Sequence, residues 1–233
     1  MTNDASRQER EIVMPGDLLD GDKLRPGAGT YVSDGKIYAA LLGIKTVKSN
    51  YINIIPMGGR YIPCVGDSVI GEVEDIGPSN WLIDINAPHP APLHVNEVPW
   101  RVEFGDTARY MNVGDVILAK ILMVDETMRF QVTLKDQGLR KLQDGQIVEI
   151  SPSKVPRVIG KSGSMIQMIK GYTNCRIFVG QNGRIWLDGE VDDIMHAIKA
   201  IQMIEQDAHS FGLTERVKEY LESVTQQTAA GSE

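Results

Sequence analysis

Cysteine is scarce in this 233-residue chain: Cys64 and Cys175 stand far apart, and neither has a C-x-x-C partner. That spacing excludes a zinc ribbon and argues against a disulfide framework. Reduced thiols, and the lack of a signal-peptide apolar core in residues 1–10, point to the cytoplasm. Residues 1–10 are polar throughout and read as a disordered tail. No apolar run approaches the ~18 residues of a membrane span, so no membrane partner is expected. Histidine is also sparse. His89, His94, His196 and His209 form no H-x-x-x-H or H-E-x-x-H pair, which removes the common zinc-hydrolase arrangement. There is no G-x-S-x-G nucleophile motif. The P-loop pattern fails because Val155 stands where its first glycine belongs, five residues before Gly160. The carboxylate groups Glu72/Glu74/Asp75 and Asp192/Asp193 read as solvation and helix capping rather than as metal ligands. No catalytic residue, no metal and no cofactor is therefore expected.

One further absence is local. Residues 150–187 contain no Asp or Glu, although the chain has 31 acids and a net charge of −7. The same window holds six cations: Lys154, Arg157, Lys161, Lys170, Arg176 and Arg184. A positive segment in an acidic protein is the electrostatic footprint of a polyanion partner. At its centre lies Val158-Ile159-Gly160-Lys161-Ser162-Gly163-Ser164-Met165-Ile166. Gly160 and Gly163 free the backbone for positive φ and close approach. Lys161 supplies a charge and Ser162 a hydroxyl, and Ser164 is read as the N-cap of the helix that follows. Such a loop suits a sugar-phosphate backbone and carries no base-reading group.

The remaining segments are read in chain order. In residues 11–64, short apolar runs alternate with turn residues, giving a β-rich domain of four or five strands, with Asp34-Gly35 as a hairpin turn. Residues 65–136 carry about five strands. They contain an internal echo, Val65-Gly66-Asp67 and then Val113-Gly114-Asp115, and they suggest a small Greek-key barrel of the oligonucleotide-binding type. Residues 137–145 read as a linker. From 146 the period changes: a strand, a helical turn, the two-glycine loop, a helix ended by Gly171, a hairpin at Asn182-Gly183 and a long helix. That helix carries the stripe Val191, Ile194, Met195, Ile198, Ile201, Met203 and Ile204. One more helix brings this domain to residue 225, and 226–233 read as a polar, frayed tail. The chain is thus an α+β multidomain protein.

On these motifs residues 65–136 resemble an S1 domain. In S1 domains, aromatic side chains of the second and third strands stack on bases, and Trp81 and His94 fall at those places. Barrel core is the other reading of Trp81. The Pro-rich stretch at 88–92 departs from the compact S1 pattern and bears on where His94 faces. The order strand–helix–GxxG–helix–strand–strand–helix over 146–206 resembles a type I KH domain, whose loop clamps about four nucleotides of a single strand. The resemblance implies RNA contact by Arg157, Gly160, Lys161, Ser162, Gly163 and Lys170, with Trp81 and His94 added from the barrel.

The succession of a β-rich domain, S1 and KH resembles the S1–KH cap subunits of the archaeal RNA exosome. That resemblance implies a non-catalytic subunit that binds single-stranded RNA. Three copies are expected on a hexameric ring of RNase-PH-like subunits, feeding RNA for 3′→5′ degradation, with the N-terminal domain docked on the ring. A stand-alone RNA-binding regulator or translation-associated factor, and a nuclease in its own right, are the alternatives.

Overall fold

The structure is a computed structural model, and it describes residues 11–20, 24–48, 50–125, 128–208, 210 and 212–230. The tail expected at 1–10 lies outside the described residues. The chain divides into two compact units, which meet in sequence between residues 59 and 60.

The first unit contains strands β1 (Ile12–Val13), β2 (Leu18–Asp20), β3 (Arg25–Pro26), β4 (Thr30–Ser33), β5 (Lys36–Ala39), β6 (Gly43–Lys48) and β7 (Tyr51–Pro56). They form two sheets, in the orders β1-β6-β7-β3 and β2-β5-β4. Asp34 and Gly35 join β4 to β5 with φ of 49° and 74°. Positive φ at both central residues is the type I′ geometry whose twist matches a hairpin. The core is small: Val13, Leu19, Ile37, Ala39, Ile52 and Ile54. Among the described residues seven strands stand where four or five are expected. The extra ones, such as β1 and β3, are two residues long and too short to show a period.

The second unit opens with a closed barrel of β8 (Ser68–Ile76), β9 (Asn80–Asp84), β10 (Ala91–His94), β11 (Val116–Val124) and β12 (Phe130–Thr133). Antiparallel β11–β12 and parallel β10–β12 pairings close it. The 48-residue echo is a local two-fold arrangement across the antiparallel β8–β11 pair. Gly66 N–H donates to Ile121 O and Ile121 N–H to Asp67 O; Gly114 N–H donates to Val73 O and Val73 N–H to Asp115 O. Each Gly-Asp turn thus closes one end of the same ladder. Residues 60–64, read from sequence with the first domain, belong here: Tyr61 is buried in the barrel core and its hydroxyl donates to Asp67 Oδ2 at 2.7 Å.

The expected linker is part of the fold. β13 (Arg140–Leu142) pairs with β11 in the register Leu118↔Arg140, Ile117↔Lys141 and Val116↔Leu142. Lys141 Nζ reaches Asp115 at 2.6 Å, and Leu142 is buried. A turn with positive φ at Asp144 and Gly145 then leads into β14 (Gln146–Glu149).

The rest of the unit is α1 (Val155–Ile159), α2 (Ser164–Thr173), β15 (Arg176–Val179), β16 (Arg184–Asp188), α3 (Val191–Gln206) and α4 (Leu213–Ala230). The antiparallel sheet has the order β14-β16-β15, which is the type I arrangement. One face packs on the helices through Ile177, Ile185 and Leu187. The other, through Trp186, Ile147 and Phe178, packs on Ile70, Leu118 and Leu142 of the barrel. Three helix readings change. α2 runs past Gly171 to Thr173, because Asn174 in the left-handed region (φ 50°) ends it. α3 buries Ala197 and Ala200 between Ile194, Ile201 and Ile204, while Val191 and Met195 are exposed. α4 continues through 226–230, where a frayed tail is expected; 231–233 lie outside the described residues.

Candidate nucleic-acid interface

The two-glycine loop is held from both sides by apolar residues. Val155 and Val158 anchor α1, and Met165 and Ile169 anchor α2. Pro156 sits in the first turn of α1, where its missing N–H costs nothing. Gly160 ends α1 at φ 74°, ψ 178°, a region open essentially to glycine alone. A Cβ there would lie 2.7 Å from Met165 Cβ and 2.8 Å from Met165 N. The need for Gly160 is therefore both conformational and steric.

Lys161–Gly163 forms a 3-10 turn with Ser162 at φ 52° and Gly163 at φ 81°. Gly163, not Ser164, stands at the N-cap of α2: Ser164 already has helical angles, φ −60° and ψ −40°. Successive positive-φ residues turn the backbone into a concavity suited to an anion. Gly163 has open space around it, with Gln167 Nε2 the nearest atom to an added Cβ at 3.8 Å.

Lys161, Ser162, Arg157 and Lys170 are exposed. Among the described residues none of the three cations has an ion-pair partner. Two other cations of the acid-free window are engaged internally. Arg176 pairs with Asp188. Arg184, only 8% exposed, donates to Asp84 O at 2.8 Å, Asp84 Oδ2 at 2.6 Å and Glu149 Oε1 at 2.8 Å. It joins the KH sheet to the barrel and is unavailable to a ligand.

The two barrel candidates do not come together. In the β9–β10 ladder Trp81 pairs with Leu93 and His94 with Asn80. Trp81 is fully buried in the barrel core, so its indole presents no face to a base. This corrects the base-stacking assignment. Strand alternation decides the matter: Trp81, Ile83 and Leu93 point inward together. His94 is exposed on the other face, and its Nδ1 accepts from Asn96 N–H at 3.1 Å, capping the turn Val95–Glu97. The Pro-rich stretch runs from the β9–β10 connection into β10, where Ala91 and Pro92 pair with Ile83 and Leu82, and leaves His94 in the ladder.

A groove of about 530 Å³ lies on the barrel, but Glu72, Glu74 and Asp84 line it and repel a phosphate backbone. No group of three or more His, Cys, Asp or Glu side chains that could hold a metal occurs among the described residues. No described helix is long and apolar enough to cross a membrane.

Sequence reading missed Asn182. It reads as a turn residue, yet its side chain is fully buried and bonds the barrel backbone: Nδ2 donates to Ile70 O at 2.7 Å and Ile85 O at 3.0 Å, and Ile70 N–H donates to Oδ1 at 3.3 Å. Nothing in Asn182-Gly183 as a dipeptide distinguishes a surface turn from a clasp.

A closed five-strand barrel bound to a type I α/β domain with a basic two-glycine loop defines the S1–KH class, whose KH loop holds single-stranded nucleic acid. Comparison with known families agrees domain by domain. The family described as the exosome RNA binding protein RRP4 N-terminal domain matches residues 10–58, the RRP4 S1 domain matches 60–103, and the KH domain matches 145–193. The protein named exosome complex component Rrp4 of Methanosarcina mazei is 49% identical over 215 residues, covering 92% of this chain and 83% of that one. Its counterpart in Picrophilus torridus is 46% identical over 215 residues, covering 92% and 94%. A crystal structure described as an exosome complex RNA-binding protein superposes with a TM-score of 0.66 at 38% identity, covering 73% of this chain and 99% of that one. The chain belongs to the Rrp4 family of exosome components.

Proposed function

We propose that this protein is a non-catalytic, RNA-binding cap of a cytoplasmic exosome. Three copies sit on a hexameric ring of RNase-PH-like subunits, and each holds single-stranded RNA and feeds it to the ring for 3′→5′ degradation. The observation that carries the RNA contact is the loop Gly160–Gly163: positive φ at Gly160, Ser162 and Gly163, and an exposed Lys161 without an ion-pair partner among the described residues. The relatives named as exosome components support the assembly. The first unit is consistent with a docking role: Ile12, Met14, Leu18, Val32, Leu42 and Ile55 are each more than half exposed around a small core.

Lys161→Asp with Gly163→Asp tests the RNA contact. Gly163 has room for a side chain but a left-handed backbone (φ 81°), so the variant reverses the loop charge at a cost of about 1 kcal/mol, and a thermal melt confirms that it is folded at the assay temperature. Affinity for single-stranded RNA is expected to fall, and its salt dependence with it. Unchanged affinity and salt slope would make the loop a structural turn. Size-exclusion chromatography with RNase-PH-like subunits tests the assembly: failure to co-elute would leave a stand-alone RNA-binding protein. Decay of RNA by the purified chain alone, with phosphate or a divalent metal, would overturn the non-catalytic assignment.

A further inference from the structure

Phe178 stands at an edge strand of the KH sheet, half-buried where the sheet meets the barrel. Trp186 packs against it with ring centroids 5.6 Å apart. Two cations from different domains converge on the same ring. Arg140 Cζ, from β13 of the barrel, lies 5.3 Å from its centroid; Lys170 Nζ, from α2 of the KH domain, lies 5.9 Å away. Both are exposed, and among the described residues neither has an ion-pair partner. The neighbouring Lys141 and Arg176 are each matched with an acid, Asp115 and Asp188. Cation–π contact orients the two charges without neutralising them. Arg140 is further fixed by its strand, in register with Leu118. The result is a pair of positive charges gathered at one ring, with no ion-pair partner among the described residues.

Lys170 lies two turns along α2 from Gly163, on the helix that starts at the loop. A strand leaving the loop along α2 and the β15 edge would reach Lys170 and then Arg140. We infer that Arg140, Lys170 and Phe178 form a second phosphate-binding subsite for single-stranded RNA at the S1–KH seam, continuous with the KH loop and supplied partly by the barrel. This rests on the RNA-binding reading of the loop. An acidic peptide would satisfy the charges too, but continuity with the loop on one helix favours nucleic acid.

Fluorescence anisotropy with two labelled RNAs tests it. One is about four nucleotides long, enough for the loop alone, and the other about twelve. With the full chain, Arg140→Ala should leave the short RNA unaffected and weaken the long one about five-fold. The slope of log K against log salt should fall by about 0.7, the value of one single-strand phosphate contact. Lys170→Ala should reduce the slope for the long RNA similarly, and Arg140→Lys should restore most of the Arg140→Ala loss. If Arg140→Ala lowers the melting temperature but changes neither affinity nor slope, the pair is a structural clasp and the inference fails. Equal weakening of both RNAs also overturns it, because the site would then not be separate from the loop. If the unmodified chain binds neither RNA, the loop reading itself fails. Lys161→Asp with Gly163→Asp, expected to weaken both RNAs, tells these failures apart.

Discussion

Asn182→Ala should separate two domains that otherwise unfold as one. β9 ends its pairing with β8 at Glu72↔Asp84, which leaves Ile70 two residues beyond the ladder. Asn182 takes over there. Its amide fills the place of a strand residue, accepting from Ile70 N–H and donating to the carbonyls of Ile70 and Ile85. The fit is close enough that a Cβ on Gly180 would lie 2.3 Å from Asn182 Oδ1. Truncation deletes three hydrogen bonds in a site with no exposure and orphans one N–H and two carbonyls. At about 1 kcal/mol net per bond, and more where a group is left buried without a partner, the loss is about 4 kcal/mol. That is a large share of the ~5–15 kcal/mol a domain has, and it lowers the melting temperature by about 10 °C.

Urea unfolding followed by far-UV circular dichroism and by tryptophan fluorescence measures both the loss and the coupling. Trp186 lies in the seam and Trp81 in the barrel core, so the indoles report both sides. Coincident transitions are expected for the parent chain and separated ones for the variant. Asn182→Asp should be worse near neutral pH, because a carboxylate would face the two carbonyls. That disfavours its charged form, so the variant's stability should fall as pH rises above the ordinary carboxyl range. A change under about 1 kcal/mol for Asn182→Ala, with the transitions still coincident, would refute the reasoning.

Gly160→Ala must place a Cβ 2.7 Å from Met165 Cβ at an angle pair reserved for glycine, so thermal melts should show a loss of roughly 2 kcal/mol or more together with lost RNA binding. Gly163→Ala should cost only about 1 kcal/mol and retain binding, because its surroundings are open. Trp81→Leu should destabilise the barrel by on the order of 2 kcal/mol and leave RNA affinity unchanged at temperatures where the variant is folded; a drop in affinity without a drop in stability would restore the stacking role. Burial pushes the Asp115 carboxyl up, but bonds from Lys141 and Asn112 N–H outweigh it and hold the group below its ordinary value. A depressed folded value contributes stability above about pH 4 that is lost as pH falls through it. Asp115→Asn should therefore be less stable at neutral pH and lose less on acidification, as read from denaturation midpoints across that range.

Local backbone chemistry was the most legible part of the chain. Asp34-Gly35 forms the hairpin its residues demand, and both Gly-Asp turns of the 48-residue echo close strand ends with positive-φ glycines. The two-glycine loop shows its geometry in four residues, because only glycine tolerates the angles at Gly160. Elements whose signal is spread thinly were harder to read. β13 is three residues between Gly138 and Gly145, and both glycines argue for a linker. Its strand character comes from pairing with β11, a partner more than twenty residues away. Trp81 needed the barrel's inside and outside to be assigned before its role could be chosen, and alternation within one strand does not say which face is the core. α3 misleads in the same way: small Ala197 and Ala200 are buried where helices approach closely, while larger Val191 and Met195 face solvent.

Charge counting also needs the tertiary structure, and here it redistributes the footprint without removing it. Six cations stand in the acid-free window, yet Arg184 is buried against Asp84 and Glu149, and Arg176 is matched with Asp188. Both acids facing Arg184 come from outside the window. A gap in acids along the sequence is therefore no guarantee of uncompensated charge in space. Arg157, Lys161 and Lys170 remain exposed near the loop, and Arg140 joins them from a strand that the sequence assigns to a linker. The surface cations thus belong to two domains, and their spacing depends on the seam staying shut. The clasp at Asn182 and Arg184 is then more than a stability feature. It holds Arg140 beside Lys170, so a variant that opens the seam should weaken binding of a long RNA while sparing a short one held at the loop.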